Sequence, residues 1–295
     1  MKFAKRMVLF VLLNILIITT LSITMQLLGV RPYLDAKGID YTTLLIFCLI
    51  WGMGGAFISL GLSRVMAKWM MGVKVIDPNT TNPELSRLVA SVHNLAKAAG
   101  LPRMPEVGVY DSPEVNAFAT GPTRSRALVA VSAGLLDSMD WEQVEGVLGH
   151  EIAHVANGDM VTMTLLQGVI NAIVMFLARV IAFFIFRNSR DGGGGMQHLV
   201  VIVLQIALSF LGMILLAAFS RYREYRADAG GAGLAGREKM INALEGLRRT
   251  VKYADLTGRE SVAAFKISSR PGGFAMLFST HPPLEERIAR LKAGA

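Results

Sequence analysis

Cysteine is almost missing from this chain: Cys48 stands alone among 295 residues. A single thiol cannot form an internal disulfide, and its isolation excludes the clustered thiolates of zinc ribbons and iron–sulfur sites. Any metal bound here must therefore be held by histidine, aspartate or glutamate. Charge is scarce as well, with 18% Asp, Glu, Lys and Arg against 53% hydrophobic residues, a balance too apolar for an ordinary soluble domain. Lysine and arginine outnumber the acids by 30 to 22. No basic cluster is long enough to follow a phosphate backbone, however, and the bases gather beside apolar segments. That pattern suits a lipid bilayer with anionic headgroups and argues against nucleic acid as a partner. Internal repeats and low-complexity tracts are also missing.

What is abundant is long apolar sequence. Residues 7–30 and 41–63 carry no charge, and each exceeds the ~20 residues that a helix needs to cross a bilayer core. The first run is too long for a signal peptide and no small-residue cleavage site follows it, so it reads as a retained anchor. Two further runs, about 161–186 and 199–219, are separated by the glycine-rich turn segment 187–195. Four transmembrane helices in two hairpins are expected. Lys2, Lys5 and Arg6 precede the first span, Arg64, Lys68 and Lys74 follow the second, and Arg221, Arg223 and Arg226 follow the fourth. This bias assigns those segments and both termini to the cytosol, although Arg187 and Arg190 in an outer turn run against it. Arg179 lies about two helical turns inside the third run, where snorkelling to the outer headgroups is the simplest reading and an ion-pair or protein-facing role the alternative.

The remaining sequence has globular character. The expected division is a transmembrane hairpin at 1–63, a first cytosolic part at 64–159, a second hairpin at 160–219 and a second cytosolic part at 220–295. Asn82 and Pro83 open an amphipathic helix with Leu85, Leu88, Val89, Val92 and Leu95 on one face. His93 neighbours that face and reads as structural. Short β-like runs at 106–110, 115–120 and 127–132, divided by Asp-Ser-Pro and Gly-Pro-Thr turns, suggest a small sheet or meander. After a glycine-rich joint at 230–236, helices are expected at about 236–249 and 284–291. His198, in the outer turn, reads as an interfacial residue.

Asp140 can cap a helix whose fourth residue, counted from the cap, is Gln143, and Gly158 can stop it. Within that helix stand His150, Glu151, Ile152, Ala153 and His154. Histidines four apart project from one helical face, so two imidazoles can bind one zinc ion while Glu151 reaches a water on that ion as general base. A structural zinc site would close all four positions with protein ligands and would have no use for Glu151. A catalytic zinc needs a third protein ligand and an open position. His154 lies just before the third span, so a ligand just after the fourth returns to the same membrane face. Glu224 and Asp228, four apart, stand there: Glu224 suits the third ligand, and Asp228 can accept a hydrogen bond from a ligand histidine. His281, in Thr280-His281-Pro282-Pro283, is either an oxyanion donor or a helix-entry residue. Arg287 is a weaker candidate for orienting the site carboxylates.

His150-Glu-x-x-His154 beside a span, Glu224-x-x-x-Asp228 after the next span, Asn116-Ala-Phe-Ala-Thr-Gly121 and Thr280-His-Pro-Pro283 together resemble the HtpX family, which is related to the CaaX prenyl proteases. The resemblance covers nearly the whole chain. It implies an α-helical membrane protein with four transmembrane helices and a cytosolic zincin-like α+β metalloprotease domain. It also implies one Zn2+ per chain and proteolytic quality control in the bacterial inner membrane under stress. Asn116, Ala117, Phe118, Ala119 and Thr120 would be an edge strand lining the cleft, able to receive an extended substrate. Implied partners are unfolded or damaged membrane proteins, the bilayer and other quality-control proteases. Two enzyme-free readings compete, a silent zinc scaffold and a transporter. Glu151 speaks against the first, and the shortage of polar residues in the spans against the second. A CaaX-type protease would be expected to show more spans.

Overall fold

The computed structural model describes residues 34–35, 38–186, 194–256 and 273–294. The expected first span, residues 7–30, lies outside them. The described chain is mostly helical with a small sheet. In order it runs β1 (Leu34–Asp35), β2 (Gly38–Ile39), α1 (Tyr41–Met70), β3 (Lys74–Val75), α2 (Pro83–Ala98), β4 (Glu106–Tyr110), β5 (Ala117–Thr120) and β6 (Leu128–Ser132). There follow α3 (Ala133–Ser138), α4 (Trp141–Asn157), α5 (Asp159–Phe186), α6 (Gly194–Ala235) and α7 (Arg237–Leu256), then a 3-10 turn (Gly273–Phe278) and α8 (Leu284–Ala293). Three helices, α1, α5 and α6, are long and apolar enough to cross a membrane. The chain divides into two units, residues 1–60 with 163–216 and residues 61–162 with 217–295.

The first unit packs through small residues. A Cβ on Gly52 would lie 2.5 Å from the Ala172 backbone nitrogen, so α1 and α5 meet backbone to backbone there, as helices do in lipid when no water drives them together. Leu44 and Cys48 complete the contact against Ala172. Arg179 faces protein rather than only the headgroups. Its Nη1 donates to the Met175 carbonyl at 3.0 Å, and its guanidinium lies 5.2 Å from the Phe47 ring centroid.

The second unit is built around the sheet, whose strand order is β3-β4-β6-β5. A meander would alternate antiparallel neighbours, whereas here β4 and β6 run parallel and β5 pairs antiparallel with β6. The apolar run Leu128, Val129, Ala130 and Val131 accounts for this correction. It is buried on both faces, the condition of an interior parallel strand, which leaves β5 on the edge. Asn82 caps α2 as expected, accepting from the Glu84 and Leu85 amides. Leu88, Val92 and Leu95 then join Val129, Val131, Leu148, Ile152, Leu244 and Ile288 in one core. His93 is structural in position, with Nε2 3.2 Å from the Pro105 carbonyl.

The expected glycine-rich joint at 230–236 is corrected to a continuous helix that breaks only at Gly236, where φ is +104°. Two of the other glycines there, Gly230 and Gly231, serve close packing. A Cβ on Gly231 would sit 2.9 Å from the His150 nitrogen, and one on Gly149 2.9 Å from the Ala235 Cβ. The ends of α4 and α6 therefore cross at backbone distance, and this crossing carries the candidate site.

Candidate metal centre

Asp140 caps α4 by accepting from the Gln143 amide at 3.0 Å. Gly158, at φ +70°, ends the helix in the left-handed conformation that glycine adopts without strain. On the buried face of α4, His150 and His154 aim their Nε2 atoms at one point, 3.1 Å apart. From α6, Glu224 brings Oε2 to 3.4 Å of His150 Nε2 and Oε1 to 3.3 Å of His154 Nε2. Zinc bonds of ~2.0–2.1 Å in tetrahedral geometry place ligand atoms about 3.3 Å from one another. The two imidazole nitrogens and the Glu224 carboxylate, which turns one oxygen toward each, lie at about that spacing.

The outer ring nitrogens explain why the inner ones are available. His150 Nδ1 lies 3.0 Å from Asp228 Oδ1, and His154 Nδ1 lies 2.6 Å from Asp159 Oδ2. Each carboxylate accepts from an Nδ1–H, which keeps the proton on that nitrogen and leaves an Nε2 lone pair facing inward. Two lone pairs and a carboxylate converging in a buried space repel unless a cation sits among them. Both Glu224 oxygens are buried and accept no well-formed hydrogen bond, the condition of acceptors reserved for a metal. The field of the site has the same sign. Burial opposes charge on His150, yet Asp228 and Glu224 outweigh it and raise its pKa to about 10, so a proton on the ring would supply the positive charge wherever a metal did not. Burial likewise pushes up the Glu224 carboxyl, but His150, His154 and His281 hold it well below the usual range.

Arg287 is buried to 1% exposure and grips Asp228 through both oxygens, Nε to Oδ2 at 2.8 Å and Nη2 to Oδ1 at 2.6 Å. Against the opposing effect of burial, this guanidinium holds the Asp228 pKa down to about 2. His281 Nδ1 reaches 2.8 Å from Glu224 Oε2, and Pro283 starts α8 beside it. The histidine is thus both a helix-entry residue and a wall of the site.

A cavity of about 300 Å³ opens onto these groups. Asn116, Ala117, Phe118 and Ala119 line one side, and His150, Glu151, His154, Glu224, His281 and Arg287 form its polar part. Thr120 does not line it, since it pairs with Leu128 at the far end of β5. Two residues of the site are not singled out by the sequence patterns above. Asp159 carries a usable signal, an acid directly after the helix-stopping Gly158. Arg223 lines the cavity with Nη2 3.7 Å from Glu224 Oε1, but in sequence it is one base among several beside a span.

A family model described as Peptidase family M48 matches residues 81–295. The chain belongs to peptidase family M48. Among proteins similar to this M48 chain, a Protease HtpX homolog of Bacillus velezensis is 50% identical over 98% of this chain and 99% of its own length. A Bacillus subtilis Protease HtpX homolog is 49% identical with the same coverage, and a Protease HtpX of Thioalkalivibrio sulfidiphilus is 50% identical, again over 98% and 99%. The crystal structure of S. mikatae Ste24p shares the fold, with a TM-score of 0.60 at 19% identity. That likeness covers 84% of this chain but 58% of the other. The M48 chain is a membrane metalloprotease.

Proposed function

We propose that the chain is a zinc-dependent endopeptidase of the bacterial inner membrane, cleaving misfolded or damaged membrane proteins at the cytosolic face. The observation that carries this reading is the convergence of His150 Nε2, His154 Nε2 and the Glu224 carboxylate, with one Glu224 oxygen within 3.4 Å of each nitrogen and the nitrogens 3.1 Å apart, and with Glu151 in the same cavity. These three residues would hold zinc. When bound, zinc supplies Lewis acidity, which brings the pKa of a water near neutrality and polarises a carbonyl.

The chain's own groups account for the rest of the chemistry. Glu151 takes the proton of the attacking water on its carboxylate and returns it to the leaving amine. His281, whose ring lines the cavity, keeps Nε2 available to the substrate oxygen on which negative charge develops. Asp228, clamped by Arg287, keeps the His150 ring in its metal-facing orientation. An extended substrate adds to β5, whose outer edge has no partner strand among the described residues. Main-chain hydrogen bonds then give affinity with little sequence demand, which suits clients as varied as damaged proteins. The basic residues flanking the apolar runs support a cytosolic site with both termini inside. Unfolded membrane proteins, the bilayer and other quality-control proteases are the proposed partners.

The test is metal content together with cleavage of an unfolded test protein, comparing wild type with Glu151→Gln in one detergent. Wild type should hold about one zinc and cleave, and the variant should keep zinc and lose at least ~10²-fold in kcat. A variant that cleaves as fast as wild type refutes the role of Glu151. A wild type that binds no zinc refutes the metal.

A further inference from the structure

We infer that Asp159 is a positioning residue of the metal centre, its carboxylate holding the His154 ring in the orientation that offers Nε2 to the metal. The inference rests on the metallopeptidase reading, since it concerns how one of the proposed ligands is held.

The two ligand histidines are supported in different ways. His150 leans on Asp228, and Asp228 is clamped by both arms of Arg287. His154 leans on Asp159 alone, through a contact of 2.6 Å. Asp159 is 2% exposed, and among the described residues no lysine or arginine pairs with it. A buried carboxylate without a cation needs other compensation. The structure provides it twice, from the His154 Nδ1–H and from the first turn of α5, where the amides at a helix N-terminus favour negative charge.

Backbone geometry replaces the missing guanidinium. Gly158 closes α4 with its amide on the Val155 carbonyl at 3.0 Å, and α5 begins at the next residue. The turn is so tight that residue 159 points back at the ring five positions earlier. Thr162 holds the same joint from outside, its hydroxyl donating to the Gly158 carbonyl at 3.2 Å. Without the carboxylate, the His154 ring loses the partner that fixes its proton on Nδ1. The proton can then sit on Nε2, where it blocks the metal.

The experiment uses the full chain in detergent and three variants, Asp159→Ala, Asp159→Asn and Thr162→Val. Zinc affinity is measured by competition with a chelator, the visible spectrum after cobalt substitution reports ligand geometry, and thermal melting reports folding. Asp159→Ala should bind zinc about ten- to hundred-fold more weakly and show an altered cobalt spectrum. Asp159→Asn, which keeps an acceptor of the same shape without the charge, should fall between it and wild type. Thr162→Val, at the same joint but without contact to the ring, should match wild type in both readouts.

Wild-type affinity and spectrum in Asp159→Ala would overturn the inference. So would a loss shared equally by Thr162→Val, which would mark the joint, not the carboxylate, as the cause. If Asp159→Ala fails to melt cooperatively, the near-isosteric Asp159→Asn decides by its zinc affinity, with wild-type affinity overturning the inference. A wild type that binds no zinc is a different result, because it removes the metallopeptidase reading itself.

Discussion

Gly231→Ala tests whether the α4–α6 crossing sets the metal geometry. The new Cβ would lie 2.9 Å from the His150 nitrogen and 3.1 Å from its Cα, where carbon contacts normally settle at ~3.5–4.0 Å. Neither neighbour is a flexible side chain, so the two helices must separate by about half an ångström. α4 carries both histidines, and α6 carries Glu224 and Asp228 on the same face as Gly231, two turns and one turn earlier. Metal–ligand distances tolerate deviations of only about ±0.2 Å, so the separation exceeds what the site can absorb. We expect a loss of about 1–3 kcal/mol in stability from overpacking, together with weakened zinc binding. Gly233→Ala is the internal control. No atom lies within 4 Å of its added Cβ, and the better helix propensity of alanine should leave it neutral or more stable by up to ~1 kcal/mol. Thermal melting with and without chelator, alongside zinc titration, reads both effects. The reasoning fails if Gly231→Ala binds zinc as tightly as wild type and melts no lower than Gly233→Ala.

Arg287→Met should cost about 3–5 kcal/mol, because it strands the buried Asp228 carboxylate without its guanidinium; chemical denaturation measures the loss. Removing zinc with a chelator should lower the melting temperature as well as stop cleavage, since a ligand present at 100 times its Kd stabilises by about 2.7 kcal/mol. Substrate peptides carrying backbone N-methyl groups at alternate residues should be cleaved more slowly than unmodified ones if the β5 edge binds main chain. Equal rates would refute strand addition. Glu106 pairs with Arg64 and Lys68. Burial pushes its carboxyl up, yet the two cations outweigh burial and hold it below the ordinary 4.5. A depressed folded-state pKa stabilises above the unfolded value and loses that contribution as pH falls through the folded one. The melting-temperature gap between wild type and Glu106→Gln should therefore be full at pH 7 and close as pH drops below 4.5.

Residues that act through fixed local spacing are legible in one dimension. His150 and His154 share a helical face by arithmetic, Asn82 and Asp140 announce their helices, and the apolar runs behind α1, α5 and α6 declare themselves by length. What the linear order conceals depends on three-dimensional approach. Gly230 and Gly231 look like a hinge along the chain and serve as a packing surface when a second helix lies against them. The parallel pairing of β4 with β6 is a long-range choice decided by burial on both faces, which no local pattern of β5 reveals. Asp159 reaches His154 only because α4 stops at the left-handed Gly158 and α5 begins at the next residue, and Arg287 approaches Asp228 across 59 positions. Thr120 has the same composition cue as its neighbours in β5 and differs only in its distance from the cavity.

The order of the site residues along the chain has a consequence for biosynthesis. His150 and His154 leave the ribosome first, Glu224 and Asp228 only after the apolar lengths of α5 and α6 have been made, and Arg287 later still. A growing chain that has reached α5 offers two histidines and no third ligand, so it cannot hold zinc in a cutting geometry. Hydrolytic capacity therefore arrives only after both long apolar helices have been synthesised and are ready to enter the bilayer. A membrane metalloprotease assembled in this order cannot cut the nascent chains around it until its own long apolar helices have been made.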